Sequence, residues 1–157
     1  EPECEQAIIE WFGATHEAAR TVKLDHWPQD ARGALALIII LDQVSRNMLR
    51  GDAKTYAQDE KARIIAKEAI DKGFDQEFTI EERSFFNLPF MHAEDLALQD
   101  YCVALYRAAG NDENLPHAIE HADIIRRFGR FPHRNQVLGR PSSPAELAFL
   151  EAGGFSG

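Results

Sequence analysis

Three groups of residues in this chain have the types and spacing to do chemistry together. The first is Asp42, Gln43, Arg46, Asn47 and Arg50, set at helical intervals of three and four. On a wheel of about 100° per residue they continue the stripe that carries Leu35, Ala36 and Ile39. One face therefore passes from apolar to polar midway, as the wall of a pocket does. The plainer alternative is a helix emerging into solvent, with Asp42 and Arg46 as an ordinary i,i+4 pair.

The second group lies on two later helices. Asp95 and Gln99 share a stripe with Cys102, Val103 and Tyr106 that is expected to be buried. An unpaired charge there costs several kcal/mol, so Asp95 is expected to meet an arginine, a backbone donor or a ligand. His92 and Glu94 precede it at a helix start, where negative charge is favoured, so Glu94 reads equally well as a capping acid. His121 falls among Ile124, Ile125 and Phe128 on an apolar face, where a lone histidine is more often a satisfied core residue than a catalyst. One shared polar site explains three such faces more economically than three separate exceptions.

The third group is an island of positive charge. Between Arg126 and Arg140 stand Arg126, Arg127, Arg130, Arg134 and Arg140 with His133, and no Asp or Glu. The chain holds 17 Lys and Arg against 26 Asp and Glu, a net charge of −9, so the remainder carries −14. Guanidinium presents fixed bidentate geometry to a carboxylate or phosphate, in a ligand or in Asp42, Glu94 and Asp95. Interleaved Phe128, Phe131 and Pro132 superficially resemble a single-strand nucleic-acid surface, but the acidic balance argues against nucleic acid.

Two further motifs lead nowhere. His117-Ala118-Ile119-Glu120-His121 fits the H-x-x-E-H pattern of inverted zinc peptidases, yet too little chain follows to supply a third ligand. Cys102 lies on an apolar face without an activating base, and no G-x-S-x-G is present. No metal or cofactor is expected.

The elements that must position these groups are all helical. Pro and Gly divide the 157 residues into helical lengths, and no stretch shows period-2 alternation. Helices are expected from Glu3 to about Val22, Asp30 to Arg50-Gly51, and Ala53 to Lys72 before Gly73. A fourth starts at the capping box Thr79 and Glu82, and Pro89 should bend or stop it. The rest run from Glu94 to Ala109, from Pro116 to Phe128, and from the cap Ser143 through Pro144-Ala145-Glu146. Phe128 to Arg140 is the one long irregular piece. About seven helices with short connections predict an all-α stack of antiparallel hairpins, without the roughly 34-residue self-similarity of a tetratricopeptide repeat. No apolar run reaches the roughly 18 residues of a membrane span. The start Glu1-Pro2-Glu3-Cys4-Glu5 lacks the form of a signal peptide. Two cysteines, Cys4 and Cys102, cannot form a disulfide framework, which favours the cytoplasm.

The strings Asp42-Gln43-Val44-Ser45-Arg46-Asn47-Met48-Leu49-Arg50-Gly51, Leu88-Pro89-Phe90-Met91-His92-Ala93-Glu94-Asp95 with Gln99, and Arg127-Phe128-Gly129-Arg130-Phe131-Pro132-His133-Arg134-Asn135 with Leu138-Gly139-Arg140 resemble the signature of a bacterial family, domain of unknown function 924. The resemblance spans about Ala18 to Leu150. It implies a tetratricopeptide-like helical fold and no established activity. Its motif positions are Asp42, Gln43, Arg46, Asn47, Arg50, His92, Glu94, Asp95, Gln99, His121, Arg127, Arg130, His133, Arg134 and Asn135. His117 is not among them. Val44, Asn87 and Ala93 depart from the usual Phe, Tyr and Ser, which touches packing more than polar chemistry. Typical members also carry an upstream aromatic-rich segment, so the resemblance implies one helical domain, 1–157, without that N-terminal piece.

The leading expectation is a polar pocket built from the second, fifth and sixth helices and roofed by the Arg130 to Asn135 loop. It would bind a small anionic ligand or an acidic peptide end, with Asp42 and Asp95 fixing the arginines. The alternative is a hydrolase or transferase acting on an anionic metabolite, with His92, His121 or His133 as acid/base paired with Glu94 or Asp95. A third is a structural polar network in a protein-interaction scaffold. No nucleic-acid or membrane partner is expected, and a homo-oligomer stays open.

Overall fold

Capping residues and glycines set most of the element boundaries. The structure, a computed structural model, describes residues 2–157, with side chains from Gln6 onward; the Cys4 side chain lies outside the described set. Helix α1 (Pro2–Arg20) leads into short 3-10 turns at Val22–Leu24 and Trp27–Gln29. Asp30 then caps α2 (Ala31–Ile39) by accepting from the Gly33 amide. A Cβ at Gly33 would lie 2.0 Å from the Trp27 carbonyl oxygen, so only glycine lets the preceding turn rest on the first turn of α2.

The single helix expected from Asp30 to Gly51 is three pieces. After α2 comes a π turn, Ile40–Val44, then α3 (Ser45–Met48). The wider turn rotates everything beyond it relative to a regular wheel. The deeply buried residues are accordingly Ala34, Leu37, Ile38 and Leu41, whereas Leu35, Ala36 and Ile39 are half-buried. The apolar start of the expected stripe is thus corrected.

The expected third helix is also interrupted. Asp52 caps a 3-10 turn at Ala53–Tyr56, Gln58 leaves helical geometry, and α4 (Asp59–Asp71) starts beyond it. A further 3-10 turn, Phe74–Glu77, precedes α5 (Ile80–Met91), which opens with the Thr79 and Glu82 capping box. Helix α5 runs through Pro89 instead of stopping there. The proline removes one backbone donor, and burial of Phe86, Phe90 and Met91 holds the last turn. Helix α6 (Leu96–Ala109) begins two residues later than expected, with Asp95 as its cap, and ends at Gly110 in the left-handed region. Helix α7 (Leu115–Phe128) is followed by the turn Pro132–Arg134 and by α8 (Pro144–Glu151), which carries the Ser143 and Glu146 capping box.

The molecule is all-α, and among the described residues no strand occurs. Among the described residues eight α-helices stand against the expected seven because the second is broken. Helices α4 to α7 pack each on the next, α2 packs on α4 and α5, and α1 packs on the π turn and α3. Leu37, Leu41, Phe86, Phe90 and Tyr106 lie in the main core, each large side chain contributing roughly 1.5–3 kcal/mol by leaving water. A second cluster, Ile124, Ile125 and Phe131 with Phe128, Phe149 and Phe155, seats the 128–140 loop against α7. Among the described residues no helix is long and apolar enough to cross a membrane.

Candidate functional site

The π turn puts Asp42 into the interior, 1% exposed. Its Oδ1 forms an ion pair with Arg46 Nη1 at 2.9 Å and accepts from His92 Nδ1 at 2.8 Å, and Oδ2 accepts from Gln43 Nε2. Burial opposes ionisation, but His92, Arg46 and Gln43 outweigh it and hold the carboxyl at about 2. Because Nδ1–H donates to the carboxylate, Nε2 is the ring nitrogen of His92 left for other contacts. Arg46 also clamps Asp59 through two 3.0 Å bonds, Nη1 to Oδ1 and Nη2 to Oδ2.

Arg134 arrives from the turn after α7 and is 6% exposed. Its Nη2 donates to the His92 carbonyl oxygen at 3.0 Å. Its guanidinium carbon lies 4.4 Å from the Tyr56 ring centroid and 4.6 Å from that of Phe131. Nε is buried with no acceptor, and among the described residues no carboxylate lies within ion-pair distance. Burial, and then Arg46, lower its pKa.

Two histidines complete the enclosure. His121, 7% exposed on α7, donates Nδ1–H to the His117 carbonyl oxygen at 2.8 Å, which leaves Nε2 as an acceptor in the neutral ring. Burial lowers its pKa to about 4. His133 is lowered to about 4 by burial and then by Arg134, and its Nδ1 is buried without a partner. Phe155 packs edge-on against both rings, at 4.5 and 5.1 Å.

These groups surround a cavity of about 440 Å³ whose walls include Arg46, Tyr56, His92, His121, His133 and Arg134, with Arg50 at an exposed rim. The wall comes from α3, the Ala53–Tyr56 turn, the end of α5, α7, the 133–137 loop and the stretch 155–157. The expected fifth helix, α6, contributes nothing to the lining. A wider depression of about 480 Å³ beside Asp25, Glu60 and Glu68 offers no comparable chemistry, since its Lys61 is held by Asp25 and two backbone carbonyls.

The remaining expected site residues stand outside the cavity, and each has a reason. Asp95 is exposed, not buried: α6 starts after it, and its Oδ1 accepts from the Leu98 amide. It therefore fixes no arginine. Gln99 is fully buried and donates to the carbonyls of Met91 and Ala93 at 2.6 and 2.7 Å, which sets the chain that carries His92. Glu94 pairs bidentately with Arg140, at 2.6 and 2.9 Å, and accepts from the Phe131 amide. Burial raises the Glu94 pKa, but Arg140 and that amide prevail and lower it. Arg130 pairs with buried Glu146. Arg127 is exposed and stacks on Phe128 and Phe149. Asn135 is buried, donating to Ser142 and accepting from Arg140. Gln43 and Asn47 support the π turn, Asn47 by donating to the Gln43 carbonyl.

His117 and Glu120 are exposed, and among the described residues no three His, Cys, Asp or Glu side chains converge as metal ligands. Burial pushes the Cys102 thiol up to about 12, far from nucleophilic use. Sequence reasoning missed Tyr56, Asp59 and Phe155. An acid at a helix start reads as a dipole partner, and nothing near Tyr56 or Phe155 in the chain marks either as facing a cavity.

Residues 1–154 match the model of a family described as bacterial protein of unknown function (DUF924). The chain also resembles a solved structure, that of a protein of unknown function, ATU0120, from Agrobacterium tumefaciens. The TM-score is 0.93 at 44% identity, covering 97% of this chain and 86% of that one. Among curated proteins none matches. The chain belongs to the DUF924 family of bacterial proteins.

Proposed function

We propose that the cavity binds a small anion and that Arg134 receives it. The observation that supports this is a buried guanidinium, stacked between two aromatic rings, with no carboxylate partner among the described residues. A buried charge without a hydrogen-bonded counter-charge costs several kcal/mol, and an anion in the cavity would offset that. Neighbouring arginines do not share this condition: Arg46, Arg130 and Arg140 each hold a carboxylate. The cavity volume suits a metabolite-sized molecule or the end of a peptide.

A second reading, an acid/base enzyme, is favoured by the Asp42 and His92 pair, a base oriented by a carboxylate at a cavity wall. One set of variants separates the two. A ligand at about 100 times its Kd adds about 2.7 kcal/mol, enough to raise Tm by several degrees in a domain of this size. The Tm of the unmodified protein should rise at low ionic strength with at least one small carboxylate or phosphate, and Arg134→Met should remove the response. Lack of any response, or one undiminished in Arg134→Met, overturns the binding reading. Turnover of 4-nitrophenyl esters or phosphates that is lost in His92→Gln would establish the enzyme; its absence counts against that reading alone.

A further inference from the structure

Arg134 and His121 stand in the cavity wall nearly covered, 6% and 7% exposed. Most of the wall around them is tied down. The 133–137 loop is held by the Arg134 bond to the His92 carbonyl oxygen and by Arg140 on Glu94. The Ala53–Tyr56 turn is held by its Asp52 cap and by Thr55 Oγ on the Leu49 carbonyl oxygen. The exception is residues 155–157, the piece of wall that follows α8.

That piece leaves a fixed point through two glycines. Helix α8 is seated on α7 by Phe149, whose ring lies 5.2 Å from that of Phe128. Its end is closed by the amides of Gly153 and Gly154, which donate to the carbonyls of Leu150 and Phe149. Gly153 has φ +80°, in the region that favours glycine. A Cβ at Gly154 would lie 2.6 Å from the Phe149 carbonyl oxygen, so the chain takes this path to the cavity only without a side chain there. Beyond Gly154, among the described residues, no hydrogen bond or ion pair ties the stretch to the rest of the chain. What holds it is the half-buried ring of Phe155, edge-on to His121 and His133 at 4.5 and 5.1 Å and 6.4 Å from Phe131. A segment held by so few contacts opens locally at small cost while the helices around it stay closed.

We propose that residues 155–157 are a flap over the cavity, hinged at Gly153 and Gly154 and latched by the Phe155 ring. A volume of about 440 Å³ remains with the latch seated, so the flap closes beside a small molecule instead of filling its place. Closed, it covers His121 and His133; open, it uncovers them and widens the way to Arg134. The flap itself stands on the contacts above, whereas its role as the gate for an anion rests on the anion reading.

The test is labelling of the full chain with diethyl pyrocarbonate, which acylates neutral imidazole, followed residue by residue by mass spectrometry. Exposed His117 sets the rate of an open ring. His16, buried between α1 and α3 where it bonds Ser45, reports loosening of the whole fold. Without any ligand, His121 and His133 are expected to react more slowly than His117 and faster than His16. Phe155→Ala removes the latch and Gly154→Ala pushes the chain off Phe149, so each should speed His121 and His133 at least about fivefold and leave His16 unchanged. Benzoate should slow both histidines in the unmodified protein by holding the flap shut. Any of three results overturns the flap: His121 and His133 as slow as His16, rates that neither variant moves, or a rise shared by His16. Faster labelling in both variants without protection by benzoate overturns the gate and leaves the flap. The anion reading is decided separately, by the Tm response and its loss in Arg134→Met.

Discussion

A histidine and an arginine face the same problem in this molecule, and they meet it differently. His121 is buried and stays neutral, donating Nδ1–H to a backbone carbonyl and lying against Phe131 and Phe155. Arg134 cannot shed its charge and is left stacked on rings with Nε unpaired. The histidines make stability depend on acid. An unfolded chain binds protons at His121 and His133 below roughly pH 6.5, while the folded chain excludes them until about pH 4. Stability therefore falls as pH drops through that window, by about 2 kcal/mol at pH 5 from His121 alone. Asp42 and Glu146, held at about 2, add their loss as pH falls from roughly 4 towards 2. Urea unfolding at pH 7 and pH 5 measures the first part, and His121→Gln should flatten it. An unfolding free energy equal at both pH values contradicts the assignment of neutral buried rings.

The helices fold where their caps and glycines direct, and these signals are readable in the chain. Thr79 with Glu82, Ser143 with Glu146, Gly110 and Gly129 stand where the local rules place them. What a wheel cannot read is the π turn at Ile40–Val44, because an inserted residue changes the period without leaving a residue type that marks it. The same limit hid the start of α6: Glu94 and Asp95 are both good N-terminal acids, and only the geometry shows that Asp95 caps while Glu94 leaves for Arg140. Gly33 is the element-scale residue most exposed to test. Its missing Cβ leaves room for the Trp27 carbonyl, so Gly33→Ala must push the Trp27–Gln29 turn off α2. A loss of about 1–3 kcal/mol is expected from such overpacking, read as a lower urea midpoint. An unchanged midpoint would show that the close approach is not maintained.

Across the whole molecule, the unevenness of charge in the sequence marked a segment that contributes His133 and Arg134 to the cavity wall but overstated its availability. The island from Arg126 to Arg140 is mostly spent on the protein's own acids: Arg126 on Asp100 and Asp123, Arg130 on Glu146, and Arg140 on Glu94. The Arg130 and Arg140 pairs tie the loop to α8 and to the junction between α5 and α6, and that loop delivers Arg134 to a cavity it shares with Arg46 and His92. Pairings across 16 to 46 residues of chain have no local signature, so sequence alone could name the arginines without showing which of them hold a carboxylate. The central claim is that Arg134 receives an anion. Side-chain NMR of the guanidinium signals during titration with benzoate tests it most directly. Saturable shifts at Arg134, with exposed Arg127 unmoved, are predicted. Arg134 signals that stay unmoved throughout the titration, or that move only in step with Arg127, would contradict it.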